Sequence, residues 1–228
     1  MDIESDAERV DVLGAGSLGQ IFNAWRPTQL RAVSDFDTPH QLNVNWVAEL
    51  PFGQGRWIGR ESHGATEALI GGWQLTGIAR WTTGFPISIA NGFRFPTNWE
   101  FEGLATQVAP AVTGTTKNAD GTVNLFPDPL GPNGIQAFAP TLPGDSGTRN
   151  SLRGDGFAGL DVGLAKRWKM PWRESHTLQF RWDVYNVLNL TRFDVQSVST
   201  ALDSGSFGNY SGLLTNPRVM QFALRYEF

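Results

Sequence analysis

The chain has 228 residues, a length that fits one large domain or two small ones. Its net charge of −4 and its 18% charged residues exclude the clearly basic surface of a nucleic-acid-binding protein. Cysteine is absent, which excludes a disulfide framework and a thiolate metal site, and no apolar run reaches the ~18 residues of a transmembrane helix.

Five segments alternate apolar and polar residues, near 40–50, 72–83, 157–168, 177–188 and 217–228. This period of two is typical of a strand with one apolar and one polar face. The pattern is imperfect, because Val47 and Ile78 fall among the polar positions of the first two segments. Helical periodicity is almost lacking, and the best short candidate, near 62–70, is crowded by glycines. The chain is therefore predicted to be all-β.

The connections between these segments differ greatly in length. Residues 170–176 make a short turn and 51–72 a moderate connection, whereas 84–156 and 187–216 are long and rich in Gly, Pro, Thr and Asn. A long structureless loop is atypical of a compact soluble domain but ordinary for an outer-membrane barrel, whose loops are long at one rim only. If the last strand ends at the periplasmic rim, both long connections face outward, and residues 1–38 end an extracellular loop.

On this barrel interpretation, the polar positions of the strands line a lumen. The predicted lumen-facing residues are Asn45, Gln74, Arg80, Gln179, Arg181, Asp183 and Arg225. The long connection 84–156 carries aromatic and cationic side chains that suit ligand contact, namely Phe93, Arg94, Phe95, Trp99 and Phe101. A solvated wall and a loop packed on itself are the alternatives for the two sets.

Several short motifs suggest catalysis or cofactor binding, but none has the required context. GAGSLG (14–19) matches a dinucleotide-binding fingerprint, yet its following helix meets Pro27 after seven residues and no parallel strand follows. GDSG (144–147) lacks a supported histidine base, and NADG (118–121) would place Pro127 where a calcium loop needs its glutamate. The three histidines lack zinc-ligand spacing. The sequence thus predicts no enzyme, no catalytic residue, no cofactor and no metal site.

Five segments together resemble the C-terminal barrel region of TonB-dependent outer-membrane receptors, in particular the Oar-like type with a carboxypeptidase-regulatory-like domain. The resemblance is carried, in family order, by SDFDTPHQLNVNWVAELPFG (34–53), GGWQLTGIARWTTGFPISI (71–89), TRNSLRGDGFAGLDVGLAKRW (148–168), LQFRWDVYNVLN (178–189) and PRVMQFALRYEF (217–228). It implies an antiparallel transmembrane β-barrel fragment, about the last five strands of a 22-stranded barrel, with long extracellular loops over residues 39–228.

The resemblance also implies a location, partners and a function. These receptors lie in the bacterial outer membrane, enclose an N-terminal plug and draw energy from the TonB complex, so the plug, the TonB-contacting part and the remaining strands are expected outside this chain. The last strand resembles the signal read by the barrel-assembly machinery, through Phe222, Leu224, Tyr226 and Phe228. The expected function is uptake of a siderophore, an oligosaccharide or a similar large ligand by a protein in contact with outer-membrane lipid. A secreted β-sandwich that binds carbohydrate or an adhesive partner is the alternative.

Overall fold

The computed structural model describes residues 26, 28–29, 31–92 and 103–228. They divide into two compact units, which we call the loop unit (within 1–40, 83–157 and 192–214) and the sheet unit (41–82, 158–191 and 215–228). The prediction of an all-β, mostly antiparallel chain is confirmed. No helix in the described ranges is long and apolar enough to cross a membrane.

The strands of both units are numbered along the chain. They are β1 (Gln41–Glu49), β2 (Trp73–Thr82), β3 (Pro86–Ile87), β4 (Thr106–Gln107), β5 (Thr116–Lys117), β6 (Val123–Asn124), β7 (Phe138–Ala139), β8 (Leu152–Arg153), β9 (Phe157–Met170), β10 (Arg173–Tyr185) and β11 (Val219–Glu227). Helix α1 spans Ala65–Ile70, and two 3-10 turns span Ile135–Ala137 and Val195–Ser197.

The sheet unit is one five-stranded sheet in the order β1-β2-β9-β10-β11. The strand registers join apolar positions to apolar positions, so that Val44 faces Ala79 and Trp46 faces Gly77 across β1 and β2. In the same way Trp182 on β10 lies between Leu164 on β9 and Phe222 on β11. Since directly opposite residues share a face, the sheet has one apolar side and one polar side.

The hairpin between β9 and β10 is tighter than the sequence suggested. β10 begins at Arg173, so only Pro171 and Trp172 separate it from β9, where a turn over 170–176 was expected. The register shifts between Arg173 and Thr177, as a bulge does when one strand carries extra residues. The extra residues of the bulge, 174–176, belong to the stretch that the sequence assigned to the turn.

The loop unit has a hydrophobic core of its own, although the sequence predicted only a long loop over 84–156. The core residues are Ile87, Ile89, Ala105, Leu125, Phe126, Ala137, Phe138, Leu152, Val195, Val198 and Phe207. Phe126 is fully buried and stacks on Phe207 at a centroid distance of 5.2 Å and on the edge of Phe138 at 6.5 Å. Three short strand pairs, β3–β8, β4–β7 and β5–β6, surround this core. Both long connections are therefore parts of one packed structure.

Candidate functional site: the two faces of the sheet

The seven residues predicted to line a lumen all lie on the polar side of the sheet. Across the strands Gln74 faces Glu49, Arg80 faces Asn43 and Asn45 faces Ile78. On the other half of the sheet, Gln179 faces both Arg225 and Arg167, Arg181 faces Ala223 and Ala165, and Asp183 faces Gln221 and Gly163. The structure brings these residues onto one surface, and their lumenal role stays a prediction.

Charges on this polar side are paired along the strands. Nε of Arg181 lies 2.8 Å from a carboxylate oxygen of Asp183, and Nε of Arg225 lies 3.1 Å from one of Glu227. Residues two apart on a strand share a face, which brings these side chains together. Gly163 leaves room for one of them, because a Cβ there would lie 2.7 Å from Oδ1 of Asp183. These ion pairs make the polar side charged but add no net charge, because each pair joins one positive and one negative group.

A cleft of about 370 Å³ opens beside this polar side, near the ends of β1 and β2 that meet the connection 50–72. It is lined by Glu49, Leu50, Arg56, Gly72, Trp73, Gln74, Ala165, Lys166, Arg167 and Gln179. Arg56 forms an ion pair with Glu49 at its edge. Planar amides and guanidinium groups suit hydrogen bonds to carboxylates or hydroxyl-rich groups.

Lys166 is a residue that the alternating pattern did not single out. It faces Phe180 across the strands and so belongs to the apolar side, yet only 3% of it is exposed. Its ammonium lies 5.4 Å from the ring centroids of both Trp73 and Trp168. It also donates to the carbonyl of Gly71, which with the two rings compensates the buried charge. A charged residue at an apolar position of β9 is the feature of the sequence that could have identified Lys166.

Helix α1 is bound to the same apolar side by its carbonyl groups. Nε1 of Trp73 donates to the carbonyl of Leu69 at 2.9 Å, and Nε1 of Trp168 donates to that of Ala68 at 2.6 Å. Carbonyls near a helix C-terminus lack partners within the helix and attract donors and cations. The helix therefore lies over the aromatic residues at this end of the sheet.

The carboxylate of Glu67 fixes the chain that leads into α1. Its Oε2 accepts hydrogen bonds from the hydroxyl of Ser62 at 2.5 Å and from the backbone N–H of Gln54 at 2.6 Å. These bonds, that of Ser62 foremost, lower the pKa of the Glu67 carboxyl. The connection is thus cross-linked from residue 54 to residue 67 by one ionised side chain.

The apolar side chains of the last strand, which form the predicted assembly signal, are exposed. Phe222, Leu224, Tyr226 and Phe228 follow one another on this side. Nδ1 of His176 lies 2.5 Å from the hydroxyl of Tyr226, and its ring lies 6.5 Å from that of Phe228. Recognition of these residues by an assembly machinery stays a prediction.

The other predicted sites fall outside the described residues or lie in turns. Residues 93–102, with all five candidate ligand contacts, and GAGSLG (14–19) are not among the described residues. Asp120 caps its own turn by accepting from the backbone and hydroxyl of Thr122, which lowers the pKa of the Asp120 carboxyl. Within the ranges that the structure describes, no three His, Asp or Glu residues are grouped to hold a metal ion.

Comparison with known protein families gives one match. A family model described as "Outer membrane beta barrel domain" matches residues 5–221, which is most of the chain. The comparison with curated proteins and the comparison with solved structures each found no match.

Proposed function

Because the chain belongs to the outer membrane beta barrel domain family, which places it in the bacterial outer membrane, we propose that it forms part of the wall of a TonB-dependent receptor. The receptor imports a ligand too large for porins, such as a siderophore or an oligosaccharide. Its partners are outer-membrane lipid, an internal plug, the TonB complex and the barrel-assembly machinery.

The observation that carries this proposal is the separation of the two sides of the sheet. Trp182 and Phe222 stack at 5.8 Å on the apolar side, while Arg181 and Asp183 pair on the polar side of the same strands. A wall between hydrocarbon and an aqueous lumen needs this arrangement, with alternate residues facing the two media. The β-sandwich alternative needs a second sheet over the apolar side, and the described part of the sheet unit contains a single sheet.

Transport is supported by the polar side and by the connections. The polar side and its cleft offer paired charges and amides, a surface against which a polar plug or a passing ligand can form hydrogen bonds. The long connections build a packed unit rather than loose loops, as a recognition surface requires if it is to be preorganised. These features, together with the resemblance of the five sequence segments, favour a receptor over a passive structural barrel.

The test compares uptake in cells with and without the gene, using iron-loaded hydroxamate siderophore, iron-loaded catecholate siderophore and a labelled maltodextrin series as probes. We expect uptake of one class to fall at least tenfold in the deletion strain and to return with the intact gene. The same uptake is expected to stop when TonB is deleted or the proton gradient is collapsed. Uptake that continues without TonB would contradict the proposed energy coupling, and an unchanged uptake of all probes would contradict receptor function for these classes.

A further inference from the structure

The connection between β1 and β2, residues 50–72, passes round one end of the sheet, because its Arg56 pairs with Glu49 of the polar side while its helix α1 lies on the apolar side. We call it the rim segment. Its carbonyl groups accept from Trp73, Lys166 and Trp168. Lys166 and Trp168 face Phe180 and Leu178 across the strands, which assigns both to the apolar side. Helix α1 therefore lies over the apolar side, whereas Arg56 lines the cleft with the polar-side residues Arg167 and Gln179.

We propose that the rim segment is a membrane-interface anchor that binds the headgroup region of the phospholipid leaflet at this end of the sheet, and that Lys166 positions it there. The proposal rests on the proposed function in one respect, namely that the apolar side of the sheet faces lipid. It adds a lipid-binding element outside the strands and assigns a role to the one buried lysine described above.

The exposed side chains of the rim segment identify the partner as lipid. Trp57 is 94% exposed and Leu69 is 71% exposed, while Ile58 is also largely exposed. Arg60, two residues after Ile58 in the chain, is exposed as well. Tryptophan and arginine next to aliphatic residues are typical of the boundary between hydrocarbon and headgroups, where the indole and the guanidinium both find suitable surroundings. Within the anchor, α1 with Leu69 lies against the apolar strands that the membrane covers.

The contacts of Lys166 explain how the anchor is held in place. A lysine on a lipid-facing strand ordinarily extends its ammonium toward the headgroups, but this one is 3% exposed and ends beneath α1. The partial negative charge of the helix C-terminus and the faces of Trp73 and Trp168 surround the ammonium. Lys166 therefore acts on lipid binding through α1, as a positioning residue.

The chain contains no cysteine, so a single nitroxide label can be placed by one substitution. In isolated outer membranes, Leu69→Cys carries the label on the anchor and Leu142→Cys, whose side chain is 76% exposed in the loop unit, is the matched control. The measurement is the ratio of relaxation by oxygen, which enters lipid, to relaxation by a water-soluble nickel chelate. We expect this ratio to be at least threefold higher at position 69 than at position 142.

A third label at Val44→Cys, on the apolar side of β1 and outside the predicted assembly signal, separates failure of the anchor from failure of the proposed function. A high ratio at 44 with a low ratio at 69 would overturn the anchor and leave the barrel wall intact. Low ratios at both positions would overturn the orientation of the sheet, and with it the proposed function.

The role of Lys166 is tested with the label at position 69. Lys166→Met keeps the length of the side chain and removes the charge, and we expect the oxygen-to-nickel ratio to fall to that of position 142. Lys166→Arg is expected to keep the ratio high, and so is Lys169→Met, which removes a charge from the opposite side of the same strand. The label at 44 verifies that each variant is inserted. An unchanged ratio in inserted Lys166→Met protein would overturn the positioning role.

Discussion

Trp46 covers the backbone of Gly77, its direct partner on the neighbouring strand. A Cβ placed on Gly77 would lie 2.0 Å from Cζ2 of the indole, so the glycine is what allows the ring to lie against the sheet. An aromatic side chain over a cross-strand glycine compensates for the missing side chain and fixes the register of the pair. The pair joins β1 to the rest of the apolar side.

Substitution of Gly77 by valine is therefore expected to weaken the pairing of β1 and β2. The branched side chain displaces the indole of Trp46, and overpacking of this kind costs about 1–3 kcal/mol of unfolding free energy. Ala48→Val adds volume at an exposed position of the same side and is the control, with little expected change. Both variants are measured by thermal unfolding in outer-membrane preparations, with the loss of heat-modifiable electrophoretic migration as the readout. Equal unfolding midpoints for Gly77→Val and the original protein would contradict the packing role of the pair.

Loss of the Asn124 side chain is expected to destabilise the loop unit. Its amide donates to the carbonyl of Phe207 at 2.8 Å and to Oδ1 of Asn209 at 2.9 Å, and its Oδ1 accepts from the backbone N–H of Phe126 at 2.7 Å. Asn124→Ala removes these partners from a buried site, at about 1–3 kcal/mol for each group left unsatisfied. The exposed Asn133→Ala is the control, and urea unfolding followed by tryptophan fluorescence is the measurement. A control that is as unstable as Asn124→Ala would refute the argument.

An ion pair ties residues 33–37 to residues 149–153 within the loop unit. Oδ1 of Asp35 accepts from Arg149 at 3.1 Å and from the amide of Asn150 at 2.5 Å, and Asp37 pairs with Arg153. Asp35→Asn removes the charge from this cluster, which for a partly exposed pair costs about 1 kcal/mol. We expect faster trypsin cleavage of the loop unit on intact cells, while the exposed Asp128→Asn keeps the original rate. Cleavage at the original rate in both variants would show that the ion pair does not secure the segment.

Tyr210 predicts a loss of stability at alkaline pH. Burial raises the pKa of its hydroxyl to about 12, and its ring lies 5.2 Å from that of Phe193. In the unfolded chain a tyrosine ionises near pH 10, so above that pH the unfolded state releases a proton that the folded state keeps. Stability from this group is complete below about pH 10 and is lost as the pH rises toward 12.

Tyr210→Phe keeps the ring and removes the ionisation. Unfolding of the loop unit measured from pH 8 to 11.5 is expected to show a smaller alkaline decline in this variant than in the original protein. Tyr185→Phe, on a strand of the sheet unit, is the control and should follow the original protein. Parallel curves for Tyr210→Phe and the original protein would rule out this tyrosine as the source.

The sheet could be predicted from sequence because each strand carries its own evidence. Leu42, Val44 and Trp46 alternate with polar residues, and this local period does not depend on the rest of the chain. The faces followed from the same period, so the polar positions were assigned correctly to one side before any pairing was known. What the pattern lacked was an explanation for Lys166, which donates to the backbone carbonyl of Gly71, 95 residues away in the chain.

The core of the loop unit could not be predicted in this way. Leu125 and Phe126 are adjacent residues in a segment rich in Gly, Pro and Asn, and both are fully buried. Their burial depends on Phe207 and Val195, which lie beyond two further strands of the sheet. Without regular strands or helices, no periodicity marks such positions, and the polar composition of their neighbours suggested a solvated loop.

The contact of Phe126 with Phe207 also imposes an order on folding. The two rings are separated along the chain by β9 and β10, so the aromatic stack closes only after that hairpin has been synthesised. Once the stack has closed, most of the chain between β10 and β11 is packed, and only a few residues at each end of this segment remain free. The shorter free chain lowers the entropic cost of adding the last strand. The core outside the sheet thus favours the addition of β11 after the core has formed.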